Sequence, residues 1–219
     1  ERYVGTDFRV NYLFFNPRLG VNFNLNEQWH LYGNASYTQR EPRLKNLYDA
    51  AESSGGAVPQ FSILESGAFD YSKPLVKPEK LTNIEAGAGY TSDWLHCIAN
   101  VYAMDFSDEI VKSGALDRFG QPITGNADRT LHLGLELSLR LSVASGLDID
   151  ANAMFSRSRL QKHTVWETDA LAGFTRPVAL DGNRIAGFPE QLANMRLTWR
   201  GAGLSASVAW KYVGDQFTD

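Results

Sequence analysis

The chain has 219 residues, 21 basic against 25 acidic side chains, a net charge of −4 and 43% hydrophobic residues, with a mean hydropathy of −0.29 and a pI near 5.6. No run approaches the ~18 consecutive apolar residues of a membrane helix, and no Lys/Arg stripe marks a nucleic-acid surface. The single cysteine, Cys97, closes no intramolecular disulfide and no CxxC-type metal site. A helical membrane protein and a nucleic-acid partner are thereby excluded, while length alone allows one domain or two.

Arg18 to Leu25 puts Leu19, Val21, Phe23 and Leu25 on one face. Asn26-Glu27-Gln28 then turns the chain into Trp29 to Tyr37, with Leu31, Gly33 and Ala35 on the apolar side, which reads as a β-hairpin. Arg43 to Glu52 leaves the period of two: Leu44, Leu47, Tyr48 and Ala51 follow helical spacing between Pro42 and Ser53-Ser54-Gly55-Gly56, and a short helix is expected there. Thr82 to Tyr90, with Ile84, Ala86 and Ala88 in phase, turns at Thr91-Ser92-Asp93 into Trp94 to Phe106. Both faces of that second strand are apolar, Leu95, Cys97, Ala99 and Val101 against Ile98, Tyr102, Met104 and Phe106, so its facing stays open. Trp94 falls on the opposite phase to Leu95, which a bulge or a ring at the strand end would reconcile.

Leu131 to Val143 is the strongest signal, alternating without a break: Leu131, Leu133, Leu135, Leu137, Leu139, Leu141 and Val143 on one face, His132, Gly134, Glu136, Ser138, Arg140 and Ser142 on the other. About 13 residues at ~3.3 Å extend ~43 Å, and a tilt of ~40° leaves ~33 Å of height, more than the ~25 Å apolar band of a membrane barrel. His132, Glu136 and Arg140 are therefore expected to face a water-filled lumen and the leucines lipid. Ala144-Ser145-Gly146 leads into Leu147 to Phe155, where Leu147, Ile149, Ala151 and Ala153 oppose Asp148, Asp150 and Asn152. Ala193 to Trp199 turns at Gly201-Ala202-Gly203 into Leu204 to Tyr212, closing the fourth hairpin.

Turns near 27, 92, 145 and 202 are tight, whereas the connections 40 to 81, 107 to 128 and 160 to 189 are long and rich in Gly, Pro, Ser and charge. The expected fold is all-β: an antiparallel up-and-down transmembrane β-barrel, here a partial wall of about eight strands, with long extracellular loops and short periplasmic turns. Trp29, Tyr90 and Trp199 fall beside the short turns and Tyr37, Phe155, Trp210 and Tyr212 toward the long loops, as two interfacial belts would.

Several clusters in this sequence resemble the C-terminal half of the barrel of TonB-dependent outer-membrane receptors. They are Asn16-Pro17-Arg18-Leu19-Gly20, Leu31-Tyr32-Gly33 through Arg40-Glu41-Pro42, Lys77-Pro78-Glu79 with Asn83-Ile84-Glu85-Ala86-Gly87, Val101 to Phe106 with Glu109-Ile110-Val111, Asn126-Ala127-Asp128, and Gly134-Leu135-Glu136. The resemblance implies that residues 1–219 are part of a ~22-stranded plugged barrel in a Gram-negative outer membrane. Its partners would be membrane lipid, a small nutrient, its own plug domain and TonB, and it would take up a ferric siderophore, cobalamin or glycan. Plug, signal sequence and terminal strands are expected to lie outside this chain, both ends of which read as cut. Gly134 is expected to make room for another backbone, and Glu136 and Arg140, roughly 13 Å apart on one strand, to find partners on a neighbouring strand or the plug.

Catalysis is not expected. His30, His96, His132 and His163 are scattered, and no nucleophile elbow or metal-ligand spacing is present. Asp105, Asp108, Glu109 and Asp128 read as solvated loop carboxylates rather than calcium ligands, and neither cofactor nor metal is expected. The candidate nutrient contacts are Arg40, Arg43, Tyr48, Phe61, Phe69 and Tyr71 in the first long loop and Trp166, Phe174 and Arg176 in the third, because aromatic faces and guanidinium forks suit chelates, corrins and sugars. Two alternatives are a passive porin without energy coupling and a soluble β-sandwich binding module, which would bury the leucine face.

Overall fold

The strand carrying the leucine alternation runs through the middle of one eight-stranded antiparallel sheet. The computed structural model describes residues 9–47, 59–116, 122–169 and 174–217. Its elements are β1 (Arg18–Asn24), β2 (Trp29–Arg40), α1 (Leu44–Leu47), β3 (Phe61–Ile63), β4 (Phe69–Pro74), β5 (Glu79–Thr91), β6 (Leu95–Leu116), β7 (Pro122–Ala144), β8 (Leu147–Lys162), β9 (Thr164–Asp169), β10 (Phe174–Ala179), β11 (Gln191–Gly201) and β12 (Leu204–Val213). The large sheet has the order β1-β2-β5-β6-β7-β8-β11-β12, an up-and-down wall left unclosed, and β3–β4 and β9–β10 form separate hairpins within two of the long connections.

Register shows what the alternation accomplishes. Phe23, Leu31, Ala88, Ala99, Leu137, Ala153, Ala193 and Tyr212 stand side by side across all eight strands, one apolar row on one face. Ala99 lies between Ala88 and Leu137, so Leu95, Cys97, Ala99 and Val101 join the leucines and Ile98 and Tyr102 turn to the polar face. Trp94 precedes β6 and stands exposed in the turn, so no bulge is needed to place it. The apolar face is uncovered: Leu137 is 40% exposed and Val208 71%. A sandwich would have covered it with a second sheet; the other two sheets among the described residues are the small hairpins β3–β4 and β9–β10, and this face stays exposed.

The rows also measure the tilt. Trp29 and Tyr90 share a row with Cys97, Leu139, Ala151, Met195 and Trp210. Yet Trp29 opens β2 at its short turn, while Trp210 stands six residues past Leu204, where β12 begins. A stagger of this kind is the shear that lets a sheet close into a barrel. At the short turns, Asn26 Oδ1 accepts the backbone N–H of Gln28 at 2.9 Å and of Trp29 at 2.8 Å. Gly146 takes φ 76°, where any Cβ would meet the Arg200 carbonyl at 2.0 Å.

Three expectations change. The 107 to 128 connection is mostly strand, because β6 continues to Leu116 and β7 begins at Pro122, lifting this hairpin beyond its neighbours. Backbone pairing carries the ladder on past Phe106, and Val111 and Ala127 are buried there with Leu160 and Ile185. The helix is α1, over Leu44–Leu47; residues 48–52 of the expected Arg43 to Glu52 segment, Tyr48 among them, lie outside the described residues. The space over Gly134 is filled by a side chain rather than a backbone: a Cβ there would sit 2.3 Å from Tyr102 Cζ.

Candidate functional site

The polar face of the sheet and the long-loop rim above it carry the charged groups, and backbone alternation alone delivers them to one side. Near the short turns, Arg140 Nε donates to Asp150 Oδ1 at 2.7 Å, Ser142 Oγ to Asp148 Oδ1 at 2.8 Å, and Arg200 Nη1 to Asp148 Oδ2 at 2.5 Å. Arg140 thus finds its partner on β8, as expected, rather than in Glu136. His96, Arg140, Asp150, Asn152, Asn194 and Arg196 lie along a concavity of about 640 Å³.

At mid-height the face is built on aromatic-over-glycine contacts. Tyr102 covers Gly134 and Tyr32 covers Gly87, the side chain of one strand filling the gap left by its neighbour. Between these rings stand two carboxylates. Glu85 accepts from Asn34 Nδ2 at 2.8 Å and from Asn83 Nδ2 at 2.7 Å, and Glu136 from Asn100 Nδ2 at 3.3 Å. Asn100 Oδ1 in turn accepts the Tyr32 hydroxyl at 3.1 Å. Among the described residues no cation forms an ion pair with Glu85 or Glu136.

His132, the third residue expected on this face, is buried at its upper end. Its Nε2 lies 3.0 Å from Glu109 Oε2 and its Nδ1 2.8 Å from Ser158 Oγ, so the imidazole ties β6 to β8 across β7. Thr130 donates to the same Glu109 carboxylate, and Phe106 and Phe188 set ring edges against the imidazole at 5.3 and 5.2 Å. Glu109 reaches these partners because Asp108 holds a left-handed backbone, φ 59°, that interrupts the alternation. The Ser–His–Glu connectivity is that of a hydrolase triad, but all three groups are buried beside the cluster Val111, Ala127, Leu160 and Ile185. The Ser158 hydroxyl is buried with its partners, and the arrangement ties three strands together through polar groups.

The four carboxylates weighed for calcium are engaged separately where partners are described. Asp105 takes the Arg129 fork, Nε at 2.9 Å and Nη2 at 2.6 Å, Asp108 pairs with Lys77 Nζ at 3.3 Å, and Glu109 is held by Thr130 and His132. No group of three or more metal-ligating side chains is assembled among the described residues.

The loop residues singled out from the sequence fall in distinct places. Arg40 ends β2 and pairs with buried Glu79, which also accepts Ile110 N–H at 2.8 Å. Arg43 is exposed just before α1. Phe61 is buried with its ring 5.1 Å from Tyr71, and Phe69 lies 6.2 Å from Tyr71 on the same hairpin. Asp70 in the β4 stretch is held below the ordinary carboxylate range by the Ser72 hydroxyl and backbone N–H. Trp166 stands on β9 opposite Pro177, and Phe174 and exposed Arg176 on β10 opposite Asp169 and Glu167. Phe61, Phe69 and Tyr71 stand on the β3–β4 hairpin, Trp166, Phe174 and Arg176 on the separate β9–β10 hairpin, and Arg40 and Arg43 on neither.

A model of the TonB dependent receptor-like β-barrel family matches residues 2–219. The chain belongs to this family. Among solved structures, the copper transporter OprC superposes with a TM-score of 0.62 at 18% identity over 89% of this chain. The ferric yersiniabactin uptake receptor FyuA from Yersinia pestis gives 0.59 at 18% over 92%, and the FrpB iron transporter from Neisseria meningitidis 0.55 at 18% over 90%. The chain spans about a quarter of each of these structures, 25%, 26% and 26% in turn. No curated protein matches it in sequence.

The TonB-dependent-receptor motifs acquire structural roles. Asn126 Oδ1 accepts Lys77 N–H at 2.8 Å while its Nδ2 donates to the Lys77 carbonyl at 3.0 Å and the Asp108 carbonyl at 2.7 Å, stitching the start of β5 to the extended β6–β7 hairpin. Asn16 Oδ1 likewise accepts Gln39 N–H at 2.7 Å. Glu109, expected as a solvated loop carboxylate, is instead buried, because Thr130 and His132 hold it; the residues missed from sequence are Thr130 and Ser158, and the visible signal was Thr130 and His132 two residues apart on one phase of β7.

Proposed function

We propose that this chain forms part of the wall of a plugged, energy-coupled receptor in the outer membrane of a Gram-negative bacterium. Its leucine face meets lipid, the long connections face outward from the cell and the short turns face the periplasm. The observation that carries the reading is the pair Glu85 and Glu136, two carboxylates set by asparagines on the lumen face and lacking a cation partner among the described residues. Carboxylates arranged this way call for cationic groups from whatever fills the lumen. A plug domain of the same protein supplies such an occupant, and TonB supplies the energy that moves it.

The cargo is a scarce nutrient of the ferric siderophore, cobalamin or glycan class. Arg40, Arg43, Tyr48, Phe61, Phe69 and Tyr71 are its candidate contacts from one loop and Trp166, Phe174 and Arg176 from another. Support comes from their place in the connections above the rim, and from neighbours of the same fold that are named for copper, iron and ferric yersiniabactin. The test is uptake by cells carrying the intact receptor gene, supplied with labelled ferric siderophores, cobalamin and oligosaccharides, with and without TonB. Accumulation of one class that disappears without TonB is the expected result. Accumulation that ignores TonB, together with osmotic swelling of liposomes holding the purified receptor, would make the barrel a porin.

A further inference from the structure

The outward face of β8 changes character abruptly. Leu147, Ile149, Ala151, Ala153 and Phe155 are followed in the same phase by Arg157 and Arg159. Arg157 lies ten residues beyond Leu147, which at ~3.3 Å per residue and ~40° of tilt is about 25 Å, the height of the apolar band. The arginines therefore stand at headgroup level on the long-loop side.

Their surroundings are built for an anion. Arg184 forms an antiparallel bridge with Arg159 and so shares its outward face. Glu190 takes Arg159 Nη2 at 2.7 Å and Arg184 Nη2 at 3.3 Å, leaving three guanidinium groups to one carboxylate. The field at this point is felt by Glu190: the hydrogen bond from Arg159, then the charges of Arg159, Arg184 and Arg157, hold its carboxyl below the ordinary range. Arg157 is exposed and forms no ion pair within 4 Å among the described residues. Arg184 is also fixed in place by the Phe217 ring, 5.1 Å beneath its guanidinium. Arg159 is mostly buried, its Nη1 donating to the Ser158 carbonyl at 2.9 Å and its Nη2 to Glu190, so it adds charge to the site; an apolar wall below, two positive charges in excess among the described residues, and the exposed forks of Arg157 and Arg184 match a phosphate group attached to a hydrocarbon chain.

We propose that Arg157, Arg159 and Arg184 bind the phosphate-bearing headgroup of an outer-leaflet lipid, clamping the wall at the β8–β11 seam. The inference rests on the leucine face lying in a bilayer and goes beyond it in assigning a lipid-specific site. The test uses the full-length receptor in detergent micelles, with retained lipid read by native mass spectrometry and folding checked by heat-modifiable migration. The probes are phosphatidic acid, phosphatidylcholine and inorganic phosphate. The wild type retains phosphatidic acid over phosphatidylcholine by roughly tenfold or more, the scale of one charge-assisted hydrogen bond. Arg157→Gln alone lowers that preference, Arg157→Gln with Arg184→Gln abolishes it, and Lys211→Gln, a charge removed from the opposite face, leaves it intact. Equal retention of the two lipids by the wild type, or an undiminished preference in the double variant, overturns the proposal. So does displacement of phosphatidic acid by millimolar inorganic phosphate, which would mark a free-anion site. A receptor that folds and migrates normally but shows no preference refutes the clamp and leaves the membrane wall standing, whereas failure to fold in micelles would refute the wall.

Discussion

Arginine placed at successive heights on β7 gives a graded test of the membrane wall. Leu137 lies near the centre of the apolar face, flanked in register by Ala99 and Ala153, too small to shield a charge beside them. Leu137→Arg in the full-length receptor is expected to cost about 2 to 4 kcal/mol, the penalty for arginine at the bilayer midplane of a barrel. At ~1.4 kcal/mol per tenfold, that shifts the folding equilibrium by roughly 30-fold to just under 1000-fold. Leu133 pairs with Arg157, at the level where the face already turns basic. Leu133→Arg is therefore expected to cost only about 0 to 1 kcal/mol, as near an interface. Ser138, between Ile98 and Asn152 on the polar face, is expected to accept arginine with little penalty to insertion. The assay is refolding of the three variants into liposomes across a urea series, scored by heat-modifiable migration. Equal costs for positions 133 and 137, or a cost at 138 matching that at 137, would refute the assignment of lipid to the leucine side.

Three further outcomes follow from the polar face and the rim. His132→Ala leaves the buried Glu109 carboxylate without its imidazole partner and is expected to destabilise the β6–β8 tie by about 1 to 3 kcal/mol, read as faster proteolysis of the extended hairpin. Gly134→Val drives Tyr102 from its seat and is expected to cost about 1 to 3 kcal/mol of overpacking, with altered tyrosine fluorescence. Because the folded Glu190 carboxyl is held low, its pairing with Arg159 and Arg184 stabilises the seam above the ordinary glutamate range and is lost as pH falls through the depressed value. Protease sensitivity of residues 184–190 is accordingly expected to rise on acidification in the wild type and to be high and flat with pH in Glu190→Gln.

The wall was legible because lipid on one side and water on the other impose a strict alternation, and β7 obeys it for thirteen residues. β6 was not legible in isolation: with Ile98 and Tyr102 as apolar as Val101, only the pairing of Ala99 with Ala88 and Leu137 decides its face. The continuation of β6 past Phe106 was hidden because the strict alternation lapses there, where Asp108 adds a left-handed residue that breaks the period. The buried tie was hidden for another reason. Glu109, Thr130, His132 and Ser158 lie on three strands, and sequence periodicity reports the face of a residue, not which residue stands across from it. The same gap separates the noticed Gly134 from its partner Tyr102, thirty-two positions earlier.

The central claim, that hydrocarbon meets the leucine face and water the charged one, is tested most directly by nitroxide labels placed singly at positions 135, 136, 137 and 138 of the liposome-inserted receptor in a Cys97→Ala background. Collisional relaxation by oxygen is expected to be high at 135 and 137 and low at 136 and 138, with a water-soluble nickel chelate giving the opposite order. Labels that respond alike, or in the reverse phase, would contradict the account.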